Sequence, residues 1–108
     1  MTALAAMIER LEKADKPDKK LWTAAYEAIH GKQTISLSWG RFLVLIDAGA
    51  WLDAAVMLVP EGRLWSVGQR TNASGFVACT SQSHKSCIGT TSALALSIAA
   101  LKAGLADA

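Results

Sequence analysis

The sequence predicts an α+β fold, in which a small, mainly antiparallel sheet of three to four strands packs with about four helices. The predicted order is α-α-β(β)-α-β-β-α. Apolar residues recur at helical spacing near both ends, one central segment alternates between polar and apolar residues, and turn residues separate two strand-like runs. The chain has 108 residues, 52% of them hydrophobic and 19% charged, which predicts one packed domain over residues 1–108.

Two helices are predicted at the start of the chain. Thr2 can cap the first, and residues 15–18 (DKPD) end it and begin the second, which stops at Gly31. The apolar residues with helical spacing are Leu4, Met7, Ile8 and Leu11 on the first helix, and Leu21, Trp22, Ala25, Tyr26 and Ile29 on the second. Each stripe predicts one buried helix face.

One or two strands are predicted next. Residues 34–39 (TISLSW) alternate between polar and apolar side chains, which is typical of a half-buried strand. Residues 42–46 (FLVLI) form a continuous apolar run. This run indicates either a second, more buried strand or a continuation of the first past a bulge at Gly40 and Arg41.

The second half is predicted to contain a helix, a hairpin and a last helix. Asp47 is a candidate cap for a helix over residues 51–59, which the sequence PEG then ends. Residues 63–69 and 75–80 are predicted to be strands joined by a short polar turn. The last helix follows Thr91 and carries apolar residues at helical spacing.

Three segments of the chain resemble a family of small uncharacterised phage and prophage proteins. These segments are MIERLEKADKPDKKLWTAAYEAI, WLDAAVMLVPEG and TTSALALSIAALKA. Family members open with helices, continue with a Leu-Asp-Ala-Ala helix that ends in Val-Pro-Glu-Gly, and close with a Thr-Pro-Ala-Leu-Ala-Leu-Cys-like helix. The similarity covers most of the chain apart from residues 32–46 and the loop after Thr80. It implies a phage or prophage origin and an α/β sandwich fold, but no reaction.

The resemblance also places particular residues. It implies that residues 52–55 (LDAA) lie on the central helix and that Thr91 caps the last one. The chain departs from the family at Ser92, where proline is frequent, and at Ser97, where cysteine is frequent. Both departures are compatible with the helix, so the implied fold stands.

The stretch CTSQSHKSC contains candidate metal ligands. Cys79, His84 and Cys87 have the spacing C-x4-H-x2-C, but a structural zinc site takes four ligands. The alternatives are a disulfide, a nucleophile with its base, and a solvated loop beside a small buried Cys79. We expect the solvated loop without metal or cofactor, because only three candidate ligands lie in the stretch and Cys79 is predicted to belong to a strand. We expect reduced thiols, because no export signal is visible.

A second candidate site lies at the start of the last helix. Gly89, Thr90 and Thr91 open this helix close to Lys85. Free N–H groups and the helix dipole favour anions at such a position, so these four residues are candidate anion-binding residues. Every capped helix offers these groups, and no Gly-x4-Gly-Lys-Ser/Thr pattern is present.

Four tryptophans are many for this length, and tryptophan is enriched at binding hot spots. Helix and strand phases favour core positions for most of them, with Trp51 at a helix start as the exception. The candidate interaction surface is Trp51, Trp65, Arg63 and Arg70.

Charge and hydropathy restrict the class of function. The net charge is only +2 and the basic residues are scattered, so nucleic-acid binding is not indicated. The longest apolar stretch contains Asp47 and Asp53, which argues against a membrane span. We therefore expect a non-enzymatic protein in the cytoplasm of a bacterial host that binds a host or phage protein. Inhibition of a host defence system, as anti-CRISPR proteins do, is one version of this hypothesis.

Two other functions stay open at this point. One is a virion or assembly accessory module that acts as a homodimer or larger homo-oligomer. Its basis is that four alanines of the last helix would permit close contact with another helix: Ala93, Ala99, Ala100 and Ala103. The other is a small metal- or anion-binding enzyme that uses residues 79–91.

Overall fold

The computed structural model describes residues 3–31, 37–60, 62–70, 74–81 and 86–107. Within these residues the chain forms five helices and one three-stranded sheet. In chain order they are α1 (Ala3–Lys13), α2 (Lys19–His30), α3 (Leu37–Asp47), α4 (Trp51–Val56), β1 (Trp65–Gln69), β2 (Phe76–Thr80), β3 (Cys87–Gly89) and α5 (Ser92–Asp107). The predicted α+β class is confirmed. None of the helices in the described ranges is long and apolar enough to cross a membrane.

The sheet is antiparallel, with the strand order β1-β2-β3. Val67 lies opposite Ala78, and Ala78 lies opposite Cys87. Since side chains alternate along a strand, these three share one face of the sheet, and α5 packs against all three strands. Cys79 and Ile88 belong to the other face.

Helix α5 forms the centre of the core, and it also packs against α1 and α4. Nine consecutive residues of this helix are buried, from Ala93 to Leu101. A helix that is buried on every side must contact several elements at once, which this architecture provides.

One local prediction is wrong, because residues 37–39 and 42–46, which were predicted to belong to one or two strands, lie in α3. In the helix, Trp39 and Phe42 are three residues apart and lie on one side. Their ring centroids lie 5.1 and 4.6 Å from that of Tyr26 on α2. This aromatic packing stabilises the helical state, and a short apolar run does not by itself distinguish a strand from a buried helix.

A second correction concerns β3, which lies in the stretch predicted to be a solvated loop. Cys87 pairs with Ala78 and is buried under α5, so this part of the loop completes the sheet.

The helix caps also differ in part from prediction. Asp47 ends α3 and its Oδ1 lies 3.0 Å from Lys19 Nζ, whereas Thr91 caps α5 as expected by accepting a hydrogen bond from a backbone N–H of the first turn.

Some predicted features lie outside the described residues. They are the cap at Thr2, the start of the first predicted strand at residues 34–36, and the turn residues 71–73. The candidate metal ligand His84 and the candidate anion-binding Lys85 lie there as well.

Candidate protein-binding groove

The two cysteines lie on neighbouring strands but on opposite faces of the sheet. Cys79 is half-buried, with its Sγ 3.1 Å from Ser66 Oγ, while Cys87 is buried against α5. Both are free thiols. Across the described ranges, no group of three or more His, Cys, Asp or Glu side chains could hold a metal ion.

The thiol of Cys87 is also unsuited to nucleophilic chemistry. Burial raises the pKa of this thiol above its ordinary value of 9.0, and Glu12 and Cys79 raise it further, while Lys102 lowers it. A raised pKa keeps the thiol protonated at neutral pH, whereas nucleophiles and metal ligands are thiolates. Cys87 therefore acts as a small apolar core residue.

The described anion-binding candidates make contacts that hold α5 in place. Thr91 Oγ1 caps the helix, and the Thr90 hydroxyl donates to the Asp15 carbonyl at 2.6 Å. Gly89 packs against the first turn of α5. With Lys85 outside the described residues, anion binding stays a prediction.

Of the four predicted interaction residues, Trp51 contributes to the packing between two helices. Its ring meets the fully buried Trp22 ring edge to face, with centroids 5.6 Å apart. The Trp22 indole N–H also donates to the Trp51 carbonyl at 3.2 Å. These contacts join α4 to α2, so Trp51 helps to hold the helices together.

The other three predicted interaction residues lie on or beside β1. Trp65 begins the strand, Arg63 precedes it, and Arg70 follows its last residue. Trp65 is 41% exposed and the preceding Leu64 is 77% exposed. The Arg63 Nη1 donates to the Ser81 carbonyl at 2.6 Å, which fixes this guanidinium group at the start of the strand.

A groove of about 550 Å³ opens beside Trp65. We call it the Trp65 groove, and its other walls are Arg41 and Leu45 of α3, Leu52, Asp53 and Val56 of α4, and Met57, which caps the end of α4. The lining is mainly apolar with one charge of each sign. Its size and composition are those of a ligand-binding site.

The pairing of β1 with β2 determines where the backbone groups of β1 point. The Ser81 N–H donates to the Leu64 carbonyl at 2.8 Å, and the Arg70 N–H donates to the Gly75 carbonyl at 3.2 Å. Hydrogen-bonded pairs recur at every second residue of an antiparallel ladder. The even-numbered residues of this strand therefore direct their backbone groups toward β2.

The odd-numbered residues direct theirs away from the sheet. The N–H and C=O groups of Trp65, Val67 and Gln69 lie along the outer edge of β1, and they have no hydrogen-bond partner among the described residues. Helix α5 packs against the face of β1 that carries the Val67 side chain. The Trp65 groove thus lies next to a strand edge with unpaired backbone groups.

Sequence reasoning missed the contribution of α3 to this groove, because that segment was assigned to a strand. The signal was present, since Leu37, Arg41 and Val44 recur at spacings of four and three residues. All three are exposed, Leu37 to 95% and Val44 to 68%. Read as a helix, the segment would have shown an exposed apolar stripe beside an arginine.

Comparisons of the chain with protein-family models, curated proteins and solved structures found no match. The resemblance to small phage and prophage proteins therefore stays a prediction. The Trp65 groove and the adjacent edge of β1 are the features from which we infer a function.

Proposed function

We propose that this chain is a non-enzymatic protein-binding protein that holds its partner at the Trp65 groove. The observation that carries the proposal is the half-exposed indole of Trp65 between a mainly apolar groove and an unpaired strand edge. Tryptophan dominates binding energy where it becomes fully buried by a partner. A patch of exposed apolar side chains on a small domain is typical of an interaction site.

The chemistry of the groove favours a polypeptide over other ligand classes. Arg41 and Asp53 leave the lining without a concentrated positive charge, which a phosphate backbone would require. The edge of β1 offers alternating N–H and C=O groups, which are the hydrogen-bonding groups of another polypeptide backbone.

The proposal includes a phage or prophage origin and inhibition of a host defence system in the bacterial cytoplasm. Its basis is the predicted resemblance of the three segments MIERLEKADKPDKKLWTAAYEAI, WLDAAVMLVPEG and TTSALALSIAALKA to small phage and prophage proteins. An inhibitor of this kind needs a surface that binds a target and no catalytic group.

The assembly-module alternative loses the observation that favoured it. The four alanines of α5 that were to contact another subunit are buried within the chain: Ala93, Ala99, Ala100 and Ala103. Their small side chains instead permit close packing of α5 against its own neighbours. An interface between copies would therefore have to use a different surface.

The proposal can be tested by affinity capture from bacterial lysate, followed by calorimetry with the purified partner. We expect Trp65→Ala to weaken partner binding about tenfold or more, because the indole is the main apolar anchor. The matched control is Ile88→Ala, since Ile88 is a 53% exposed apolar residue on the opposite edge strand. Failure to recover any partner, or equal weakening by the two substitutions, would refute the proposal.

A further inference from the structure

We infer that a second copy of this chain covers the Trp65 groove in a twofold-symmetric dimer, with Arg41 of each copy paired to Asp53 of the other. This inference rests on the proposed function, because it takes the groove to be a protein-binding surface and names one protein that binds there. The four alanines of α5 are buried within the chain, so a contact between copies must use another surface. The groove and the exposed side of α3 provide such a surface.

The apolar residues of this surface are exposed in the single chain. Trp65 is half-exposed at the groove. Leu37 and Val44 are both more exposed than Trp65, and they lie four and three residues from Arg41 on one side of α3. Exposed apolar side chains that lie together on a small domain are typical of a contact with another protein. Contact with a second copy removes this apolar surface from water.

The groove also contains two charged side chains of opposite sign. Arg41 lies on the α3 wall and Asp53 on the α4 wall, and both residues are exposed. Neither side chain makes an ion pair or a hydrogen bond with any of the described residues. The two charges therefore do not neutralise each other within the chain, and each can pair with a group on a binding partner.

This arrangement of charges selects a second copy as the occupant. In a twofold-symmetric dimer the same surface of both copies meets, so the interface must be complementary to itself. A groove with charges of one sign would repel its own copy, whereas one cation and one anion on different walls can form two ion pairs across the axis. A different protein would need an anion and a cation at the matching separation, which a second copy supplies by symmetry.

The rest of the lining is compatible with this contact. Leu45, Leu52, Val56 and Met57 are half-buried, so each copy offers apolar side chains around its charged pair. Apolar contacts supply most of the binding energy of such an interface, and the ion pairs determine its register. The net charge of the chain is only +2, so repulsion between two whole copies is weak.

The test measures the oligomeric state of the full chain by analytical ultracentrifugation at a series of protein concentrations. We expect the wild type to sediment as a dimer that dissociates on dilution. In Arg41→Asp both groove charges are negative, and in Asp53→Arg both are positive, so each variant meets its own copy with like charges. We expect each substitution to raise the dissociation constant of the dimer about tenfold or more.

Restoring opposite charges should restore the dimer. A mixture of Arg41→Asp and Asp53→Arg chains can pair acid with base at both contacts, and the double variant can do the same with its own copy. We expect both to dimerise about as tightly as the wild type, and circular dichroism checks that every variant is folded. A wild type that is monomeric at every concentration, or single variants that do not dimerise when mixed, would overturn the inference.

Lys16→Asp is the matched control, since it makes the same change of charge in the loop between α1 and α2. Lys16 is exposed and does not line the groove. We expect this variant to dimerise like the wild type. Weakening equal to that of Arg41→Asp would show that net charge controls association, and would overturn the pairing of Arg41 with Asp53.

Trp65→Ala distinguishes failure of this inference from failure of the proposed function. We expect it to weaken both dimerisation and capture of another protein, because both use the same groove. If it weakens capture while the wild type is a monomer, protein binding stands and self-association is wrong. If the charge variants behave as expected and the lysate yields no other protein, self-association stands and binding of a host or phage protein is wrong.

Discussion

Gly89 lies so close to the first turn of α5 that a Cβ on this residue would be 2.6 Å from the backbone nitrogen of Ala95. No real Cβ contact is that short, so only glycine permits this approach of β3 to the helix. The contact matters because β3 completes the sheet and lies directly before the Thr91 cap of α5.

We therefore expect Gly89→Ala to lower the free energy of unfolding by about 1–3 kcal/mol, since β3 or α5 must shift to admit the methyl group. The matched control is Gly68→Ala in β1, where an added Cβ meets no atom within 4 Å. That substitution should be neutral or stabilise by up to about 1 kcal/mol, because glycine is unfavourable inside a strand. Urea denaturation followed by circular dichroism measures both. Similar losses in the two variants would show that the close approach is unimportant.

Ser97 places a hydroxyl group in the core that has no hydrogen-bond partner among the described residues. The residue is fully buried on α5, and among the described residues its Oγ is the buried side-chain oxygen or nitrogen with no hydrogen bond. An unsatisfied buried hydroxyl costs free energy that alanine does not incur. We expect Ser97→Ala to raise the free energy of unfolding by about 1 kcal/mol. Ser97→Cys, which replaces the hydroxyl with a less polar thiol, should also stabilise the fold.

The higher helix propensity of alanine also contributes to the free energy of unfolding of Ser97→Ala. Ala24→Ser on the half-buried side of α2 measures that contribution without a buried hydroxyl. If the loss in Ala24→Ser equals the gain in Ser97→Ala, the hydroxyl in the core costs nothing.

The buried thiol of Cys87 makes a prediction about pH. Its pKa is raised in the folded state, mainly by burial. A group with a raised folded-state pKa contributes stability that is fully present below its unfolded-state pKa and is lost as the pH rises through its folded-state pKa. We expect the free energy of unfolding of the wild type to fall as the pH rises from the ordinary thiol pKa of 9.0 through the raised folded-state pKa, and that of Cys87→Ala to fall less.

The rates at which the two thiols react give a second measurement of the burial of Cys87. A disulfide reagent at pH 8 should modify the half-buried Cys79 faster than the buried Cys87. The single variants Cys79→Ala and Cys87→Ala assign the two rates. Fast modification of Cys87 in the folded protein would contradict its assignment to the core.

Several features were predictable because they depend on local patterns. The hairpin predicted over residues 63–69 and 75–80 is present as Trp65–Gln69 and Phe76–Thr80. Thr91 caps α5 as the resemblance implied. Arg63, Trp65 and Arg70 were all predicted to be interaction residues, although the hydrogen bonds of the two guanidinium groups to the Ser81 and Ser74 carbonyls could not be inferred from sequence alone.

The sequence by itself determined the α+β class, the two opening helices, the hairpin and the capped last helix, because periodicity, turn residues and caps act over a few neighbouring residues. Tertiary structure decided the rest. Packing of Trp39 and Phe42 on Tyr26 made residues 37–47 helical, and pairing of Cys87 with Ala78 turned part of a loop into a strand. The Trp65 groove exists only where α3, α4 and β1 meet, since contacts between distant segments depend on the whole fold.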